Sequence, residues 1–200
     1  GNSFVTAPIA TKTGGDMYRF VTKDDNTEIS INGVAMANLS ARQHIDTIIQ
    51  GPAKITSTKP ISVALFCTGN YYDSIPSDPF MVMIHPVRQK RKDLTFYVLK
   101  SETIALTYVN VVAYTESVSR LQLNGSGISS YFSPVPADPR YSYAQIPIDS
   151  GANRLFTTSS TGFFAYVYGL GVTDGYGFVA GVHAYPFSIS VDTVLCGVLE

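Results

Sequence analysis

The residues of this chain that could do chemistry are few and scattered. The histidines are His44, His85 and His183; none makes a His-Glu-x-x-His pair, and none stands with a second histidine at metal-ligand spacing. No Gly-x-Ser-x-Gly elbow is present to expose a nucleophilic serine. The glycine clusters Gly14-Gly15 and Gly169-Leu170-Gly171 are not followed by a helix-forming stretch, so they do not read as phosphate loops. The 15 carboxylates are dispersed, and no two can be argued to flank a scissile bond. The Asp24-Asp25-Asn26 turn and the loop from Asp73 to Asp78 carry oxygens of the type Ca²⁺ takes, but acidic turns of this kind read as solvated caps. The expectation is a protein that is not an enzyme, with no catalytic residue, no metal ligand set and no cofactor.

Recognition is better provided for. Asn70-Tyr71-Tyr72-Asp73-Ser74 and Thr173-Asp174-Gly175-Tyr176-Gly177 have the Tyr, Asp, Asn and Gly content of adaptable binding loops, because tyrosine supplies contact area at low entropy cost. Tyr71, Tyr72, Asp73, Asp174 and Tyr176 are therefore the candidate ligand-binding residues, and the alternative is that these tyrosines close the open ends of the fold as lids. Cys67 and Cys196 are an even pair: one disulfide or two buried thiols. Asn38-Leu39-Ser40 and Asn124-Gly125-Ser126 are sequons, making Asn38 and Asn124 candidate glycosylation sites. The basic run Arg88-Gln89-Lys90-Arg91-Lys92 reads as a solvated linker, with a processing site or a polyanion patch as alternatives.

The elements that must position these residues are strands. Tyr and Phe number 24 together while Gly (16) and Pro (11) interrupt the chain every few residues, a mix that suits pleated surfaces and leaves little room for helices. Strands are expected at 4–7, 17–21, 28–31, 34–39, 44–49, 54–58, 61–66 and 80–84. Short strands between regular turn signals indicate a sandwich or barrel. The pattern then recurs. Thr95-Phe96-Tyr97-Val98 echoes Ser3-Phe4-Val5-Thr6, and Leu121 to Gly125 echoes Ile29 to Gly33, both at an offset of 92. Tyr108 is set against Tyr18 and Phe178 against Phe80, with the Pro-rich stretch Ser133 to Pro139 as an inserted loop. Asn32-Gly33 and Asn124-Gly125 should form type I′ hairpin turns. The fold expected is all-β: two tandem, internally duplicated sandwich-like units at 1–92 and 93–186. Residues 187–200 would be a closing strand or the start of a further unit. A single pseudo-symmetric barrel is the alternative.

Along nearly the whole chain, in order, the residues resemble those of the IgGFc-binding protein N-terminal domain family. The resemblance rests on Gly15-Asp16-Met17-Tyr18-Arg19-Phe20-Val21, on Ile31-Asn32-Gly33 and on Gly51-Pro52-Ala53-Lys54-Ile55-Thr56-Ser57. It continues through Lys59-Pro60-Ile61-Ser62-Val63-Ala64, Asp78-Pro79-Phe80-Met81, Tyr141-Ser142-Tyr143-Ala144-Gln145-Ile146-Pro147 and Tyr166-Val167-Tyr168-Gly169. It implies secretion and protein or glycan binding, and brings no catalytic residue with it.

Composition narrows the partners. A net charge of −1 provides no field toward nucleic acid, and no run of about 18 apolar residues is available to insert into a membrane. The leading expectation is an extracellular adhesion or recognition module within a longer secreted or surface protein. The alternatives are a matrix or fibre subunit that self-associates through its strands, and, third, a glycan-processing enzyme.

Overall fold

A computed structural model describes residues 1–99 and 101–181 of the chain. The first unit contains β1 (Ser3–Thr6), β2 (Asp16–Thr22), β3 (Thr27–Ile31), β4 (Val34–Leu39), β5 (His44–Ile49), β6 (Ala53–Ser57), β7 (Ile61–Phe66) and β8 (Met81–Ile84). The second contains β9 (Asp93–Val98), β10 (Leu106–Tyr114), β11 (Leu121–Leu123), β12 (Ser126–Gly127), β13 (Phe132–Pro134), β14 (Tyr141–Pro147), β15 (Gly151–Thr157), β16 (Phe163–Leu170) and β17 (Gly175–Val179). Every strand pair is antiparallel.

Each unit is a sandwich. In the first, the sheet β1-β6-β3-β4 packs on β5-β2-β7-β8, burying Phe4, Ile29 and Ile55 against Tyr18, Phe20, Val63 and Leu65. In the second, β9-β15-β11-β12 packs on β14-β10-β16-β17, burying Leu94, Leu121 and Leu155 against Val109, Val111 and Val167. The strand order is the same in both, with β13 added at the edge beside β14. The stretch expected as an inserted Pro-rich loop thus supplies part of this strand, and Pro134 is tolerated because an edge position leaves its missing N–H unneeded.

The duplicated turns agree in detail. Asn32 and Gly33 have φ of 53° and 81°, and Asn124 and Gly125 have 52° and 85°, the positive pair a type I′ turn requires. The Asn32 side-chain oxygen accepts from the Lys54 N–H at 2.9 Å, and Asn124 accepts from Arg154 at the same distance. No atom lies within 4 Å of a Cβ built on Gly33, so a valine there meets no clash and bears only the backbone cost of positive φ. Gly33→Val is expected to destabilise by roughly 1–2 kcal/mol, read from the urea midpoint. An unchanged midpoint would refute the turn assignment.

Three expected correspondences shift. Phe4 pairs with Ile55 as Leu94 pairs with Leu155, so Phe4 answers to Leu94 and not to Phe96. Tyr18 points into the first sandwich, whereas Tyr108 packs on the outward side of its sheet, because neighbouring strand residues face opposite ways. Pairing of Leu65 with Val82 and of Val167 with Phe178 sets Phe178 against Val82 and not against Phe80. The basic linker is also not a free solvated tether. Lys90 lies 3.7 Å above the Tyr114 ring, and the Arg91 backbone exchanges two hydrogen bonds with Phe163, at 2.7 and 2.8 Å.

The units are fused through a shared core. All eight residues of β16 are buried, so the period-2 alternation of a half-exposed strand disappears. Phe163, Ala165 and Val167 face their own sandwich, while Phe164, Tyr166, Tyr168 and Leu170 join the core cluster of the first unit. The polar atoms brought inside find partners, as burial demands. Tyr166 donates to the Ala7 carbonyl, Tyr168 accepts from the Ala10 N–H at 2.8 Å, and Asn110 and Gln145 donate to the Pro8 carbonyl at 2.7 and 2.8 Å.

Candidate functional site

The segments that follow β7 and β16 meet at one end of the molecule. After β7 the chain makes a single helical turn, Asn70–Asp73, and leaves it through Ser74 in the left-handed region, with φ of 60°. The turn is pinned from below by an ion pair 2.6 Å long between Lys12 and Asp73, whose side chains are 0% and 4% exposed. Lys12 also donates to Ser77 at 3.0 Å, and Asp73 accepts from the N–H groups of Thr13 and Ile75. Burial works against the Asp73 charge, but these donors and the ammonium prevail and hold its carboxyl below the usual range.

The segment after β16 is placed by close approach. A Cβ on Gly171 would lie 1.8 Å from the Thr103 carbonyl oxygen, so only glycine fits. Asp174 accepts from the Thr103 hydroxyl and from the Gly175 N–H, each at 2.9 Å. Tyr176 stacks on Phe178 and donates to the Leu99 carbonyl at 2.7 Å. The two segments touch: the Asp78 carbonyl stands 2.5 Å from the point where a Cβ of Gly175 would be.

Between them lies a cleft of about 630 Å³. Ile75, Pro76, Ala105, Leu106, Leu170 and Val172 give it apolar walls, and Thr11, Glu102, Thr103 and Thr173 supply polar groups. Concave, mostly apolar and fitted with a few polar groups, this is the form of a small binding site.

None of the sequence-derived candidates is among the residues that line this cleft. Tyr71 is fully exposed on the helical turn, and Tyr72 is half exposed with its ring over Gly14. Asp174 is exposed and Tyr176 partly covered. The Asp73 carboxylate is turned inward onto Lys12, with its side chain 4% exposed. The lining residues were missed by sequence reading; the legible hint was Gly169-Leu170-Gly171-Val172, where glycines bracket apolar residues at a strand end.

The remaining candidates sit elsewhere. Cys67 is buried and its thiol is pushed up to about 12, chiefly by burial, so it is not a nucleophile at neutral pH; Cys196 lies outside the described residues. Asn38 and Asn124 are both exposed, and Asn124 also donates to Asn153 at 2.7 Å. His44 is exposed, His85 shares a hydrogen bond with Gln89 at 3.0 Å, and His183 lies outside the described residues. Among the described residues no three His, Cys, Asp or Glu side chains are grouped to hold a metal, and no helix is long and apolar enough to cross a membrane. One carboxylate is unusual. Asp16 is fully buried; one oxygen accepts from the Ile9 N–H at 2.8 Å and the other has no partner. Burial raises its pKa to about 7 against the opposing effects of that hydrogen bond and of Lys12.

Two solved structures are similar over much of the chain. The lectin of Pleurotus ostreatus in its apo form is 13% identical over 90% of this chain and 75% of that one, with a TM-score of 0.29. The lectin from Pleurotus ostreatus in complex with GalNAc is 12% identical over 90% and 76%, with a TM-score of 0.28. No curated protein matches. The family described as IgGFc binding protein matches residues 1–169, which run from before β1 into β16, and the chain belongs to that family.

Proposed function

We propose that the chain is an extracellular, non-catalytic module that binds a protein or glycan in the cleft between the segments after β7 and β16. The observation that carries the reading is the convergence of the two equivalent segments on one apolar cleft, with the fully exposed Tyr71 on the turn preceding Ile75 and Pro76. Family membership supports binding in place of turnover. Apolar walls with hydroxyls nearby suit an apolar peptide side chain or the apolar face of a sugar.

The test uses Tyr71→Ala and Val172→Arg, both at exposed positions, with immobilised IgG Fc and a glycan array as probes. Each variant is expected to weaken whatever binding the wild type shows by about tenfold, the size of a modest hot spot, while the melting temperature stays put. Binding unchanged per folded molecule in both variants would remove the cleft from consideration. A structural role through self-association is the second reading, favoured by Met81 and Met83, which stand 50% and 42% exposed on β8.

A further inference from the structure

The main contact between the two units is head-to-tail: the outward face of β14-β10-β16-β17 in the second covers Val5 and the segment from Ala7 to Ala10 in the first, while β17 also packs against the edge strand β8, with Gly177 close against Phe80 and Val82. Each unit has both of these surfaces, so one of each is left over. On the first unit, the face equivalent to the one buried by the second is the outer side of β5-β2-β7-β8. Its strand register places Ile48, Met17, Phe66 and Met81 in one row and Asp46, Arg19, Ala64 and Met83 in the next. Met81 is 50% exposed, Met83 42%, Ile48 40% and the neighbouring Val21 39%. A water-facing antiparallel sheet ordinarily presents polar residues there, and this one presents a row of four apolar side chains with Met83 beside it.

On the second unit, the surface equivalent to Val5 and Lys54 is the outer side of β9 and β15. Ile31 pairs with Ile55 as Leu123 pairs with Leu155, so Arg154 has the place of Lys54. In the first unit Val5 is 0% exposed, and Lys54 lies 4.7 Å above the Tyr141 ring and 3.4 Å from Asp138, both of the second unit. In the second unit Thr95, which pairs with Arg154 as Val5 pairs with Lys54, is exposed; farther along the same face Tyr97 is 61% exposed, Leu99 59%, and Ala152 opposite Tyr97 is exposed as well. No described residue covers either surface. Each also carries one internally neutralised Arg–Asp pair, Arg19–Asp46 at 2.7 Å and Arg154–Asp93 at 2.5 Å, which adds no net charge to either surface.

We propose that a second copy of this chain occupies these surfaces, the outer β5-β2-β7-β8 face of one copy docking on the outer β9-β15 face of the next and continuing the internal contact. Such an interface is heterologous and does not close on itself at two copies.

The test uses the full chain in sedimentation velocity from low micromolar to submillimolar concentration. Wild type is expected to grow with concentration past the dimer. Met81→Glu/Met83→Glu and Tyr97→Glu/Leu99→Glu, all at exposed positions, should each be monomeric alone. An equimolar mixture of the two should form a one-to-one dimer and stop there, because it contains one intact surface of each kind. A wild type that stays monomeric overturns the proposal. So does a Tyr97→Glu/Leu99→Glu variant that still dimerises, which would mean like faces meeting. Hydroxyl-radical footprinting of the unmodified chain gives an answer even if a variant fails to fold. Met81, Met83 and Tyr97 should become protected together as concentration rises. Protection of the methionines without Tyr97, or of Tyr97 already complete at the lowest concentration, overturns it too; the latter would mean that the same chain already covers that face.

Discussion

Asp73→Ala is expected to lower stability by roughly 3–5 kcal/mol, because it strands the Lys12 ammonium in a site with no exposure. Removing one partner of a buried pair leaves the other desolvated without its counter-charge, and the two backbone N–H groups that Asp73 accepts from lose their acceptor as well. The helical turn bearing Tyr71 should loosen with it, so binding in the cleft falls along with the urea midpoint. Lys12→Met with Asp73→Leu removes both charges and is expected to recover much of the loss, since a buried pair often adds little over an apolar replacement. A single variant that loses less than about 1 kcal/mol, the worth of an exposed pair, would show that water reaches this ion pair.

The second large effect concerns acidity. Asp16 has a folded pKa raised from 3.8 to about 7, so the folded chain keeps a proton there that the unfolded chain releases. Its contribution is fully present below about pH 4, is lost as pH rises toward 7, and is flat beyond. The displacement corresponds to at most roughly 4 kcal/mol between those limits. Asp46, Asp73, Asp93 and Asp138 have lowered values and act the other way, but only where pH falls below the ordinary carboxylate range. The urea midpoint should therefore rise as pH is taken from 7.5 to 5. In Asp16→Asn, which keeps an acceptor for the Ile9 N–H, the slope should flatten. A slope of equal size in the variant would assign the pH dependence to other groups.

Much of the fold is legible because period and punctuation act locally. Strands expected at 34–39, 44–49 and 61–66 are found with those bounds, and the Asn-Gly turns declare their geometry through the two residues that tolerate positive φ. What lies beyond local signals is less readable. Tyr108 was set one residue out of phase, and in a strand one residue exchanges the faces. Asp73 looked like a loop-tip residue because Lys12, its partner, is 61 positions away. The cleft draws its lining from residues near positions 11, 75, 103 and 172, so no single stretch announces it. The apolar run of β16 suits a strand, but that both its faces are covered follows only from the docking of the two units.

That shared core bears on how such a protein can be inherited. The second unit's outward tyrosines lie within the first unit's cluster, and the Ala7 and Pro8 carbonyls are satisfied by Tyr166, Asn110 and Gln145. Recombination that cut the gene between the copies would deliver two products, each with a raw apolar surface and unpaired polar groups. Exon shuffling or domain transplantation must therefore move both copies together. The two halves also drift under unequal constraint, since a polar substitution admissible at Ser62 in β7 has no counterpart among the eight buried positions of β16.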